Sequence, residues 1–106
     1  MSIEIKNLKG GFPCGETNIR VDRASVLGNP YRLSNESERN SVCEKYKMYF
    51  KSRMTENPLF KAEVDRLVNL YKQHGKLNLY CWCVPKRCHA ETIRDYILDV
   101  IQFHNC

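Results

Sequence analysis

The sequence predicts a small single-domain α/β sandwich, with element order β-β-α-α-β-α and a central strand at 77–83. Three observations carry that prediction. Short stretches in the N-terminal part alternate apolar and polar residues, as strands do. Two long stretches then repeat apolar residues at 3.6-residue spacing. Finally, a stretch that is largely apolar or aromatic on both faces leads straight into another helical pattern. That succession favours a two-layer or three-layer packing in which the chain returns to its own sheet.

The elements follow in order. Ser2 to Leu8 sets Ile3 and Ile5 against Glu4 and Lys6, which reads as a strand. Lys9 to Glu16 contains glycines, a proline and Cys14, and reads as a loop. Asn18 to Asp22 alternates again, with Ile19 and Val21, before Gly28-Asn29-Pro30 turns the chain. Asn35 and Glu38 have the spacing of a capping box. Val42, Cys43, Tyr46, Tyr49 and Phe50 then mark one face of a helix. Asn57-Pro58 interrupts it, and Phe60, Val64, Leu67, Val68 and Tyr71 mark a second helix that Gly75 closes. Leu77 to Cys83 is the clearest strand, and such a strand belongs in the middle of a sheet covered on both faces. From His89 onward, Ile93, Tyr96, Ile97, Val100 and Ile101 resume helical spacing.

Composition bounds the classes of function. At 106 residues the chain is expected to be one domain, 1–106, with a modest core. The longest uncharged stretch falls well short of the ~20 apolar residues of a membrane span. The N-terminus lacks the apolar region of a signal peptide. These features predict a cytoplasmic protein with no membrane partner. The net charge of +5 is spread evenly: residues 1–35 carry five basic and three acidic groups, residues 36–75 eight and six, residues 76–106 four and three. No segment is a basic arm, so dedicated nucleic-acid binding is not expected, whereas an anionic small molecule suits the balance.

In a reducing compartment the six cysteines are not read as a disulfide framework. Cys43 fits a helix stripe and reads as a core thiol. Cys14 lies in the Gly-rich loop, and Cys106 ends the chain. The other three cluster in Cys81-Trp82-Cys83-Val84-Pro85-Lys86-Arg87-Cys88-His89, at a strand-to-helix junction. In α/β folds ligands collect at the carboxyl ends of strands, where helix N-termini present unpaired N–H groups. Lys86 and Arg87 add positive charge there, and Glu91 stands three residues after Cys88. Such surroundings favour a thiolate at Cys88, with His89 beside it, and equally favour a bound phosphate or carboxylate.

A third reading of the same residues is zinc. Cys81, Cys83, Cys88 and His89 supply four ligands of the right kind, though adjacent Cys88 and His89 do not easily share one ion. His89-Ala90-Glu91 also matches half of a zinc deaminase motif, but no Pro-Cys-x-x-Cys follows, so Glu91 is read as a helix-start carboxylate. Arg23, Ser25, Asn29 and Tyr31 follow the second strand and reach the same side if the strands are parallel. Trp82 and Tyr31 are candidate stacking platforms for a base.

Arg23-x-Ser25-x-x-Gly28-Asn29-Pro30-Tyr31, taken with Leu79-x-Cys81-Trp82-Cys83-x-Pro85-x-x-Cys88-His89, resembles domain of unknown function 4326 over about residues 19 to 100. That family is frequent in bacteriophages and bacteria. It usually continues as Cys-His-Gly-Asp, where Ala90 and Glu91 stand here, and it usually has Phe at the position of Tyr31. The resemblance brings no established activity. It implies that Arg23, Asn29, Cys83, Cys88 and His89 converge, and that a phage origin, with host cytoplasm and a host protein partner, is open. Three functions therefore stand at this point: a domain that binds or processes a nucleotide-linked or other anionic ligand, a phage-type binding protein without turnover, and a structural zinc domain.

Overall fold

The computed structural model describes residues 2–22, 25–31, 35–82 and 86–104, with backbone alone at 103 and 104. Strands β1 (Ser2–Asn7), β2 (Asn18–Arg20) and β3 (Lys76–Cys81) and helices α1 (Arg39–Glu56), α2 (Pro58–His74) and α3 (Ala90–His104) follow one another as β-β-α-α-β-α. The predicted order is therefore observed. The sheet order is β1-β3-β2 and both pairings are parallel, so β3 is central. The strand is shorter than the predicted 77–83, starting at Lys76 and ending at Cys81. Likewise β2 ends at Arg20, although the Val21 N–H still donates to the Tyr80 carbonyl at 3.0 Å.

Register explains how the layers form. Ile3 pairs with Leu77, and Ile5 and Ile19 both pair with Leu79, so these residues share one face of the sheet. That face meets Tyr46 and Phe50 of α1, Phe60, Val64, Leu67 and Tyr71 of α2, and Ile93, Ile97 and Ile101 of α3 in one core. Each fully buried aliphatic side chain there contributes roughly 1.5–3 kcal/mol relative to an exposed one.

The opposite face of β3 is covered differently. Asn78 is paired laterally, its side-chain amide donating to the Asn18 side-chain oxygen at 2.9 Å. Tyr80 is buried beneath Phe12 of the 11–17 loop, the rings meeting edge to face at 5.2 Å. Trp82, past the end of the strand, stays 58% exposed. Polar pairing and one loop aromatic therefore replace a second helical layer on this side.

Two adjacent helix starts differ from one another. Asn57 caps α2, its side-chain oxygen accepting from the N–H groups of Leu59 and Phe60, with Pro58 at the first helical position. Gly75 ends that helix in the left-handed region at φ 73°, as the sequence predicts. The capping box expected of Asn35 and Glu38 is not formed. A 3-10 turn occupies Glu36–Glu38 before α1 begins at Arg39, and the Asn35 side-chain oxygen accepts from the Ser37 hydroxyl. In the tighter turn the Glu38 N–H donates to the Asn35 backbone carbonyl at 3.1 Å, and the Glu36 carboxylate turns to Arg39.

Candidate functional site

All three strands run in the same direction, so their carboxyl ends lie on one edge of the sheet. At that edge a cavity of about 390 Å³ opens between the end of β3, the segment after β2 and the start of α1. Its volume falls in the range of small-ligand sites. The chemistry-bearing side chains on its wall come from three places. Cys81, Trp82, Arg87, Cys88 and His89 come from the β3–α3 junction, Asp22, Asn29 and Tyr31 from after β2, and Arg39 and Cys43 from α1.

Cys88 and His89 stand immediately before α3, and the helix start fixes them. The N–H groups of Glu91 and Thr92 donate to the carbonyls of Cys88 and His89 at 3.1 and 3.0 Å. The Glu91 carboxylate reaches back to accept from the Cys88 N–H at 3.3 Å. That half of a capping box anchors the backbone and leaves the Cys88 and His89 side chains facing the cavity.

The His89 ring is held in one orientation. Its Nε2 lies 2.5 Å from the Val21 carbonyl, and a carbonyl only accepts, so Nε2 carries the proton. In the neutral ring Nδ1 is then the acceptor, and it lies 3.6 Å from Cys88 Sγ. Tyr46 packs edge-on against the ring at 4.9 Å, and its hydroxyl donates to the Leu27 carbonyl at 2.7 Å. Burial, with Tyr49 and Cys88 nearby, pushes the Tyr46 hydroxyl well above its ordinary range, so it stays protonated as a fixed donor. Cys88 Sγ has a second neighbour, Cys81 Sγ, at 2.9 Å.

The charged groups around the cavity are tied in pairs. Arg39, whose side chain is only 16% exposed, donates to both oxygens of Glu36 at 2.8 Å and to the Arg87 carbonyl at 3.0 Å. Lys86 donates to the same Glu36 at 3.1 Å. These two cations hold the Glu36 carboxyl down to about 2. Arg87 bonds Glu44 at 2.7 Å and Asn40 at 3.1 Å, which draws the Glu44 carboxyl below its usual range. Asp22, nearly buried, accepts from Arg20 and from the Trp82 indole N–H at 2.9 Å. Glu36 and Glu44 do not line the cavity, whereas Arg39, Arg87 and Asp22 do. Among the described residues the wall thus carries the Arg39 and Arg87 guanidinium groups and the Asp22 carboxylate.

Of the residues singled out from sequence, Asn29, Tyr31, Trp82, Arg87, Cys81, Cys88 and His89 meet on this wall. Asn29 also accepts from the Tyr31 N–H through its side-chain oxygen at 2.9 Å, which shapes the turn. Ser25 does not line it; its hydroxyl accepts from the Leu27 N–H at 3.1 Å. Lys86 and Glu91 do not line it either; they bond Glu36 and the Cys88 N–H. Arg23 and Cys83 lie outside the described residues, as does Cys106. Among the described residues no group of three His, Cys, Asp or Glu side chains is placed to hold a metal ion. Sequence reasoning missed Asp22, Arg39 and Cys43 as wall residues. Asp22 had a signal, an acidic residue just past an alternating strand. Arg39 and Cys43 had none, because only the tertiary fold brings α1 to this edge.

These features define an α/β domain with a cysteine–histidine site at the carboxyl edge of a parallel sheet. The profile of the family described as Domain of unknown function (DUF4326) matches residues 5–99, nearly the whole chain, and the protein belongs to that family. No curated protein and no solved structure matches the chain. Among the described residues no helix is long and apolar enough to cross a membrane.

Proposed function

We propose that the cavity binds a small anionic ligand, a nucleotide or a nucleotide-linked molecule, and that Cys88 with His89 is the reacting pair where the ligand is turned over. The observation that carries this reading is the meeting of three kinds of group on one wall. Two guanidinium groups, Arg39 and Arg87, suit a phosphate; Trp82 and Tyr31 offer aromatic faces; and a thiol stands beside an oriented imidazole.

The chemistry follows from the positions. His89 Nδ1 accepts the Cys88 proton, and the resulting thiolate attacks an electrophilic carbon of the bound ligand. The protonated imidazole keeps its Nε2–H on Val21 and gives the other proton to the leaving group. A water, deprotonated by the same Nδ1, then cleaves the carbon–sulfur bond, and the proton returns to Cys88. Asn29, close to the cavity mouth with Tyr31, orients the ligand. A phage origin would place the protein, its ligand and any host-protein partner in the host cytoplasm.

The test is a thermal-shift panel of nucleoside mono-, di- and triphosphates with inorganic phosphate as the comparator. At least one nucleotide is expected to raise the unfolding midpoint by several degrees at saturating concentration. Arg39→Ala abolishes that shift, while Cys88→Ser keeps it and loses product formation followed by chromatography. A panel with no stabilising member overturns the reading, and so does a shift that survives both Arg39→Ala and Trp82→Ala.

A further inference from the structure

The Cys81–Cys88 contact is not used by the proposed reaction, yet it brings two nucleophiles together on the cavity wall. The two sulfurs stand 2.9 Å apart. That is longer than a disulfide bond of about 2.05 Å and closer than two sulfurs ordinarily pack without one. Both side chains are almost wholly buried, yet both line the cavity. Cys81 is the last residue of β3 and Cys88 immediately precedes the turn into α3, so the end of a strand and the approach to a helix bring the thiols together.

We infer that Cys81 and Cys88 are a reversible dithiol–disulfide pair, oxidised by a low-molecular-weight disulfide that enters the cavity. Cys88 is the attacking thiol, because His89 Nδ1 lies beside it at 3.6 Å. Its thiolate attacks one sulfur of the small disulfide, forming a mixed disulfide at Cys88 and expelling the first small thiolate, which leaves with the Cys88 proton. Cys81 then attacks the Cys88 sulfur, forming the Cys81–Cys88 bond and expelling the second small thiol with the Cys81 proton. Two protein thiols are oxidised to one disulfide, and one small disulfide is reduced to two thiols.

A covalent bridge over a separation of seven positions closes a short loop and restrains less unfolded-chain entropy than a long one would. The consequence falls on the cavity. Oxidation removes the Cys88 thiol from its wall, and reduction restores it. That functional clause rests on the proposed role of Cys88, whereas the pair itself does not.

The experiment equilibrates the full chain in glutathione buffers of stepped poise, quenches with acid, alkylates free thiols and maps the cysteines by peptide mass spectrometry. Cys81 and Cys88 are expected to lose alkylation together over one transition and to appear in one disulfide-linked species, while Cys43 stays reduced. Cys81→Ser is expected to trap glutathione on Cys88, because the resolving thiol is gone. Cys88→Ser leaves Cys81 reduced throughout. The inference is overturned if Cys88 stays alkylatable at every poise, or if it is found linked to Cys83. Bound zinc that shields both thiols under reducing conditions overturns it as well. Mapping of the unmodified chain needs no variant to fold. Because it reads sulfur chemistry rather than ligand binding, it can fail or succeed independently of the nucleotide panel.

Discussion

The starts of α2 and α3 face the same physical problem and solve it in opposite ways. Both leave N–H groups without an intrahelical acceptor. At α2 the residue before the helix supplies the acceptor, since the Asn57 side chain takes the Leu59 and Phe60 N–H groups. At α3 the acceptor comes from within the helix, since Glu91 reaches back to the Cys88 N–H. The first arrangement occupies the preceding side chain with capping. The second leaves the preceding side chains, Cys88 and His89, turned into a cavity. A helix start capped from behind is a joint; one capped from inside is a place where chemistry can be mounted.

The largest expected effect tests how firmly that mounting is held. His89 is buried, bonded to the Val21 carbonyl and packed on Tyr46. His89→Ala removes a buried ring and leaves a carbonyl without its donor, which predicts a loss of about 2–4 kcal/mol in denaturant unfolding. A loss under about 1 kcal/mol would show that the ring is not an anchor, and the comparison of the two helix starts would lose its functional side. Tyr46→Phe is the next step down. It keeps the ring contact with His89 and deprives only the Leu27 carbonyl, so about 1–2 kcal/mol is expected. Alkylation of Cys88 should change little in that variant.

The comparison itself is tested by removing each cap. Asn57→Ala is predicted to cost about 1 kcal/mol, with no effect on the rate at which Cys88 is alkylated. Glu91→Ala is predicted to cost about 0.5–1 kcal/mol and to change that rate, because the backbone N–H it holds belongs to Cys88 itself. Equal alkylation rates in the two variants would reduce both caps to the same structural role.

How much of this was legible in the sequence follows the same division between local and tertiary causes. Asn57-Pro58 and Gly75 announced the limits of α2 because caps are local events. β3 was recognisable because a strand apolar on one face and aromatic on the other leaves few alternatives to the centre of a sheet. Asn35 and Glu38 misled because capping-box spacing says nothing of the 3-10 turn that displaces it. What covers the aromatic side of β3 was not legible, since Phe12 reaches Tyr80 from a loop distant in sequence. At the site, Cys88 and His89 were found because their motif is contiguous. Arg39 was not, because it reaches the cavity through an ion pair with Glu36 and a bond to the Arg87 carbonyl, 48 positions away.

The smallest expected effect comes from Glu36, which gives the start of α3 a tether that the start of α2 lacks. Its carboxylate bonds Arg39 at the head of α1 and Lys86 ahead of Cys88, so it ties the two segments flanking the cavity. The folded-state value, about 2, is below the ordinary 4.5. A carboxyl lowered in this way stabilises the fold fully above 4.5, and that contribution is lost as pH falls through about 2. Because the pair is open to water, Glu36→Gln should lower the unfolding midpoint at neutral pH by at most about 2 °C. The gap between the two proteins should then narrow as the pH falls toward 2, where about half of the wild-type carboxyl is itself protonated. A gap that stays constant down to that pH would mean that Glu36 acts through its hydrogen-bond geometry rather than its charge, since glutamine lacks one of the two acceptors that Arg39 engages.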